Sequence, residues 1–304
     1  MSTYTNPTLN EIRTVNGTRV QWDGTKWKNL THGNHELRLQ FAEKSAALMT
    51  LAEAQASDLK VEQYVRLTDR GNGLFKVFPT GTIANGFDSI GLPSGLVLVL
   101  QHGSRVDSRW YGTSNSNTDN QALQIAINDN NVKHIDVRDY NVASGGCYVD
   151  RNDIVINFNN ETLDFTGVGH AALTLGETSA GAVSPESRVN IEVHNVVTTG
   201  DNTSGSYVCF FRKASTCKLV NWRAWNLASA FGGDGTDATY LALVCEFKDL
   251  DIRYCTVGVN DVAGSFQGSK FIGGRIEANE TYGLDTNTTN LQIIGTVIEG
   301  NGGS

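Results

Sequence analysis

Proline is almost missing from this 304-residue sequence, 4 residues against 32 glycines, which excludes a proline-rich linker or a collagen repeat. No run of about eighteen apolar residues occurs, so no segment reads as a membrane-spanning helix. The opening MSTYTNPTLNEIR lacks the basic-then-apolar order of a secretion signal, and the expectation is a soluble chain made without one. The sequons at Asn16 and Asn160 are then incidental to an Asn/Thr-rich sequence. Positive charge is also short: 24 Lys and Arg against 32 Asp and Glu give a net charge of −8, which argues against nucleic-acid binding by bulk electrostatics. The five cysteines (Cys147, Cys209, Cys217, Cys245, Cys255) form an odd set without a C-x-x-C pair or a histidine at zinc-finger spacing, so free buried thiols are expected, with no metal site and no cofactor. The six histidines are scattered without a nucleophile partner.

What is present is glycine and asparagine, the residues that tolerate positive φ, in a chain with 39 % hydrophobic residues. That composition suits a packed protein with a corner every few residues. A repeat follows. Phe271-Ile-Gly-Gly-Arg-Ile-Glu-Ala-Asn279 matches Ile293-Ile-Gly-Thr-Val-Ile-Glu-Gly-Asn301 position by position. Phe247 to Cys255, Leu219 to Leu227 and, more weakly, Val193 to Thr199 extend the series backwards. Within each copy Ala224, Ile252, Ile276 or Ile298 is flanked by polar or bulky residues, the period-2 signature of a strand with one buried face. One short strand cannot bury its apolar face alone, whereas stacked rungs form a continuous core with paired backbones. From about Ile154 onward the chain is therefore expected to be a parallel β-helix, with loops of varying length leaving one corner.

Stacking defines columns. Cys217 falls over Cys245 as part of the core. Outside, Arg223, Asp251 and Arg275 form one column, and Trp225, Arg253, Glu277 and Glu299 another, with charges alternating between rungs. Two readings stay open: a solvated ladder of ion pairs worth little each, or a glycan-handling face. In the second, Arg223, Trp225, Arg253 and Arg275 are the binding candidates, and Asp249 with Asp251, or Glu277 with Glu299, are the catalytic carboxylates. A lyase would instead draw its neutralising cation from Arg253 or Arg275. The acidic loop Asp234-Gly-Thr-Asp237 falls short of a calcium-binding loop and reads as a turn.

In the first half, Trp22-Asp-Gly-Thr-Lys-Trp27 reads as a hairpin. A helical stretch is expected over roughly Glu36 to Gln55, and the capping-box pattern Thr50-Leu-Ala-Glu53 near its end is placed to start a fresh helix. Leu59 to Leu67 and Leu74 to Phe78 read as a second hairpin, and Leu96 to Leu100 as a buried strand. Thr118 or Asp119 is placed to cap a helix whose apolar side is Ala122, Leu123, Ile125 and Ala126, and that helix would cover the open end of the first rung.

Trp110-Tyr111-Gly112, then Thr118-Asp119 and an Ala-Leu-Gln-x-Ala-Ile helix, resembles the motif that opens the pectate-lyase-like β-helix domains of bacteriophage tailspikes. The turn differs from the usual W-F-G-A-x-G-D-G-x-T-D-D, with Thr-Ser-Asn-Ser-Asn in its middle and Asn120 for the second Asp. The resemblance covers roughly Thr50 to Ser304. It implies an all-β fold, a right-handed parallel β-helix behind a small mixed α/β head, arranged as a virion-anchoring segment (1–35), a head (36–104) and the β-helix with its capping helix (105–304). It further implies a homotrimer on the virion tail, held to tail or adaptor proteins by its N-terminal segment, that attaches to bacterial surface polysaccharide and often degrades it. Family members commonly run several hundred residues further, so the β-helix is expected to be incomplete at its C-terminus. Catalytic positions vary within the family and none carries over. An adhesive tailspike or tail fibre leads, a polysaccharide depolymerase is the alternative, and a cellular pectinase-like enzyme fits the head-like first half less well.

Overall fold

The computed structural model describes residues 46–302 apart from 80–83, 85, 113–118, 180–181, 234–241 and 262–263, together with the backbone of strands 12–15, 18–22 and 27–29. The chain divides into two compact units, Met1–Gly103 and Ser104–Ser304.

In the first unit, Ile12–Val15, Thr18–Trp22 and Trp27–Asn29 form an antiparallel meander in which Trp22 faces Trp27, as the Asp-Gly turn predicts. A five-stranded sheet follows in the order Ala47–Met49, Tyr64–Leu67, Gly73–Phe78, Val97–Leu100, Ser89–Gly91. Among the described residues of the expected helical stretch, Ala47–Met49 is instead a strand parallel to Tyr64–Leu67, and Leu51–Ala56 is helical. The capping box explains the change. Thr50 accepts from the Glu53 amide while Glu53 accepts from the Thr50 amide, so the helix starts at Thr50 and the residues before it are free to pair as a strand. The rest of the expected helix, 36–45, lies outside the described residues. The second hairpin pairs Tyr64 with Lys76, its first strand opening at Tyr64 rather than Leu59.

The second unit is a parallel β-helix with three walls. The first stacks Arg105–Asp107, His134–Asp136, Ile154–Asn157, Ile191–His194 and then the leading parts of Lys218–Trp225 and Glu246–Arg253, followed by Lys270–Ile272 and Gln292–Ile294. The second stacks Thr162–Asp164, Val197–Thr199, the trailing parts of those two long strands, Arg275–Glu277 and Val297–Glu299. The third runs Cys147–Val149, Ala171–Leu175, Tyr207–Phe211, Phe231–Gly233, Val257–Asp261, Tyr282–Thr286. Every register drawn from the repeat is present, including Leu219 over Phe247, Phe271 over Ile293 and Ile276 over Ile298. The first two strands, from Arg105 and His134, precede the rungs traced from Ile154 and fall inside the 105–304 span expected for the β-helix with its capping helix.

Corners are made by residues in the left-handed region, which only Gly and, at lower cost, Asn and Asp enter readily. Asn195, Asn221, Asp249, Gly273 and Gly295 turn the first wall into the second, with φ between 53 and 66°. Asn226, Tyr254, Ala278 and Gly300 turn the second toward the third, and Asn190, Thr216, Val244, Gly268 and Asn290 close the circuit. Abundant Gly and Asn are thus the chemical expression of the coil.

Inside, like stacks on like. Val106, Ile135, Ile156, Val193, Leu219, Phe247 and Phe271 form one column, and Cys147, Leu173, Cys209, Phe231 and Val259 another, all essentially buried. Phe231 lies 4.7 Å from Phe247, and Phe247 4.8 Å from Phe271, as ring centroids. Phe211 and Phe266 join the cluster edge-on. The five cysteines are free and buried, and the neighbouring Cys245 thiol, together with burial, pushes the Cys217 thiol well up.

Asp119, not Thr118, caps the Asn120–Asn128 helix by accepting from the Ala122 amide; Thr118 is outside the described residues. The buried side is Ala122, Leu123, Ala126 and Ile127, so Ile127 replaces the expected Ile125. The helix covers the edge of the third wall. Gln124 accepts from the Tyr148 amide at 2.7 Å and donates to the Tyr148 carbonyl at 2.9 Å, one side-chain amide standing in for a neighbouring strand. Arg151 donates to the Ile127, Asp129 and Val132 carbonyls and so satisfies the helix C-terminus.

Candidate functional site: the outer face of the second wall

The second wall carries most of the candidate residues because its strands alternate. Ala224, Ile252 and Ile276 point inward, which throws Arg223, Asp251, Arg275 and Trp225, Arg253, Glu277, Glu299 outward. Pairing confirms the columns: Arg223 opposes Asp251 and Asp251 opposes Arg275, while Trp225 opposes Arg253, Arg253 opposes Glu277 and Glu277 opposes Glu299.

The ion pairs do not simply climb these columns. Asp251 accepts from Arg253 Nε at 2.6 Å and Nη2 at 3.3 Å within its own strand. Arg253 also reaches Glu277 of the next rung at 3.1 Å, and Arg275 reaches Glu277 at 3.6 Å. The hydrogen bonds to Asp251 hold the Arg253 guanidinium above its ordinary value against a smaller effect of burial, and Glu277 adds to the rise. Arg253 lies 5.7 Å over the Trp225 ring, a cation–π contact. A connected patch of one indole, two guanidiniums and two carboxylates results.

The patch continues into a cleft of about 360 Å³ lined by Gly274, Arg275, Glu277, Val297 and Glu299. Gly274, with φ of 73°, is required there, since a Cβ would land inside the radius of the Leu250 carbonyl oxygen and amide nitrogen. Glu277 and Glu299 are neighbours in register on its wall, and Arg275 is half exposed beside them.

Asp249 does not join this site. It sits at the corner with φ of 53°, where its strand breaks alternation, so Lys248 and Asp249 are both exposed and Asp249 leaves the face that Asp251 occupies. Its carboxylate occupies the space above Gly273, where a Cβ would meet Asp249 Oδ1 at 2.7 Å. The expected Asp249–Asp251 pair is therefore a corner residue and a wall residue. Of the histidines, His134 and His194 face Asp136 and Glu192 on the first wall, away from the patch. Asp234 and Asp237 lie outside the described residues, and no metal-ligating cluster occurs among the described ones.

Tyr254 is the residue that the pattern did not single out. It follows Arg253 at the corner, is 48 % exposed, and sets its ring 6.4 Å from Trp225 at 77°. An aromatic residue at the position where neighbouring copies carry Asn226 and Ala278 was the available signal.

The arrangement of coils matches solved structures. The Acinetobacter baumannii phage AM24 tailspike protein superposes with a TM-score of 0.53 at 13 % identity, covering 88 % of this chain and 52 % of that one. This is the fold of a phage tailspike β-helix. The enzymatically active domain of bacteriophage CBA120 tailspike protein 2 matches with a TM-score of 0.46 at 10 % identity over 87 % of this chain and 47 % of that one. Geobacillus virus E2 ORF18 gives 0.48 at 12 % identity over 82 % and 54 %. The tailspike-like chain spans about half the length of these solved structures. No protein-family model matches it, and no curated protein matches it in sequence.

Proposed function

We propose that this chain is the body of a virion tailspike or tail fibre, a homotrimer that attaches a phage to a bacterial surface polysaccharide. Residues 1–35 anchor it to tail or adaptor proteins, 36–104 form the head, and 105–304 present the binding surface. The observation that carries the reading is the second-wall patch: an indole beside guanidiniums and carboxylates on a rigid sheet, the mixture that stacks on a sugar ring and bonds its hydroxyls.

The adhesive reading is tested by retention of the chain on immobilised capsule or lipopolysaccharide, with and without Trp225→Ala. Retention that Trp225→Ala abolishes is the expected result; no retention on any bacterial glycan would overturn it. Sedimentation at micromolar concentration checks the trimer.

One observation favours a depolymerase as second reading: Glu277 and Glu299 share a cleft with Arg275. Glycoside hydrolysis needs two carboxyl groups roughly 5–9.5 Å apart. Release of reducing ends, or the absorbance of unsaturated uronates, that disappears in Glu299→Gln would establish it, and binding without either product would exclude it for this chain.

A further inference from the structure

The charge pattern of the second wall is left open at one end. Asp251 lies in register with Arg223 but gives both carboxylate oxygens to Arg253. Arg223 is exposed and forms no ion pair with any described residue. Two residues along the same face is the half-buried Trp225, and across the corner is Tyr254.

Tyr254 is an anomaly of its own. Its φ of 55° is the left-handed conformation, which a bulky side chain seldom adopts, and the same corner is made by Asn226, Ala278 and Gly300 in nearby rungs with φ of 56, 54 and 61°. Burial does not explain the choice, because nearly half of the residue is exposed. Its packing is an edge-to-face contact with Trp225. A strained, exposed aromatic next to an indole and an unmatched guanidinium serves a ligand better than it serves the fold.

We infer that Arg223, Trp225 and Tyr254 form a subsite for an anionic sugar residue of the uronate class. One ring of the near-perpendicular aromatic pair takes the apolar face of the pyranose while the other flanks its edge, and the Arg223 guanidinium donates to the carboxylate in the two-pronged geometry suited to it. The inference rests on the adhesive reading above and adds to it the charge of the saccharide.

The experiment is retention of the full chain on an array of purified bacterial capsular polysaccharides and O-antigens, grouped as uronate-containing or neutral, for the native protein, Arg223→Gln and Tyr254→Asn. Retention confined to acidic polymers, weakened by added salt and reduced about tenfold by each substitution, is expected. Asparagine accepts the left-handed conformation, and a urea unfolding midpoint of Tyr254→Asn at or above that of the native chain separates a binding loss from a folding loss. Retention on neutral polymers that Arg223→Gln leaves unchanged would overturn the subsite and leave the adhesive function standing. Retention on nothing in the array would overturn both.

Discussion

Two corners of the same β-helix are built on different principles. Where the first wall meets the second, Asn195, Asn221, Asp249, Gly273 and Gly295 all suit the left-handed conformation, and the first members bind one another. Asn221 donates to Asn195 at 2.7 Å and Asn195 to Asn157 at 2.8 Å. Where the second wall meets the third, the series runs Asn226, Tyr254, Ala278, Gly300, and its tyrosine has neither the conformational ease nor the ladder. Thr216 and Val244 also take the left-handed conformation against their preference in the third corner, so what sets Tyr254 apart is the pairing of that departure with an exposed aromatic ring against Trp225. The first corner is architecture, and the second carries the residue that we assign to the ligand.

Substitutions sharpen that contrast. The largest effect belongs to neither corner: Phe231→Ala, in the shared aromatic core, should cost about 3–5 kcal/mol in urea unfolding and set the scale for the rest. Gly274→Ala follows at roughly 2–4 kcal/mol, because the added methyl meets the Leu250 backbone in a conformation that alanine resists. If Gly274→Ala proved neutral, the tight approach of rungs at the first corner would be wrong. Asn221→Ala should cost about 1–2 kcal/mol, through a lost ladder bond and an unfavourable φ. The smallest effect is a gain. Val244 is an exposed β-branched residue at φ of 56° in the third corner, and Val244→Asn should raise stability by about 0.5–1 kcal/mol in thermal unfolding. A loss there would show that left-handed corners in this chain do not follow residue preference, and the argument from Tyr254 would weaken with it.

The second wall was legible because its copies are nearly in step: Ile252, Ile276 and Ile298 recur in short, similar segments, so columns followed from spacing alone. The third wall was not. Its core column runs Leu173, Cys209, Phe231, Val259, residues of different size and type, so no recognisable motif recurs from copy to copy. The ion-pair partners were legible as a neighbourhood and not as a list. Asp251 chose Arg253 over Arg223 because a side chain two residues along a strand competes with one across the ladder, a choice made by rotamers that spacing does not specify. Asp249 was misplaced for a related reason: strict alternation was assumed through a residue whose left-handed backbone ends it. The helix start at Thr50 was legible from its capping box, whereas the strand Ala47–Met49 just before it was not, because a short strand takes its conformation from the neighbour that it pairs with.

Gln124 is a single side chain, yet it sets the frame in which everything after it is read. Its amide fixes which face of Tyr148 is outside, Tyr148 lies beside Thr174, Thr174 beside Phe210, and each later rung copies the alignment of the one before. A one-residue slip at the start would turn the third-wall column inside out, exposing Leu173, Cys209 and Phe231 together. The helix is therefore the first line of a template: the position of an outward-facing residue such as Trp225, some hundred positions later, is an inheritance from one glutamine.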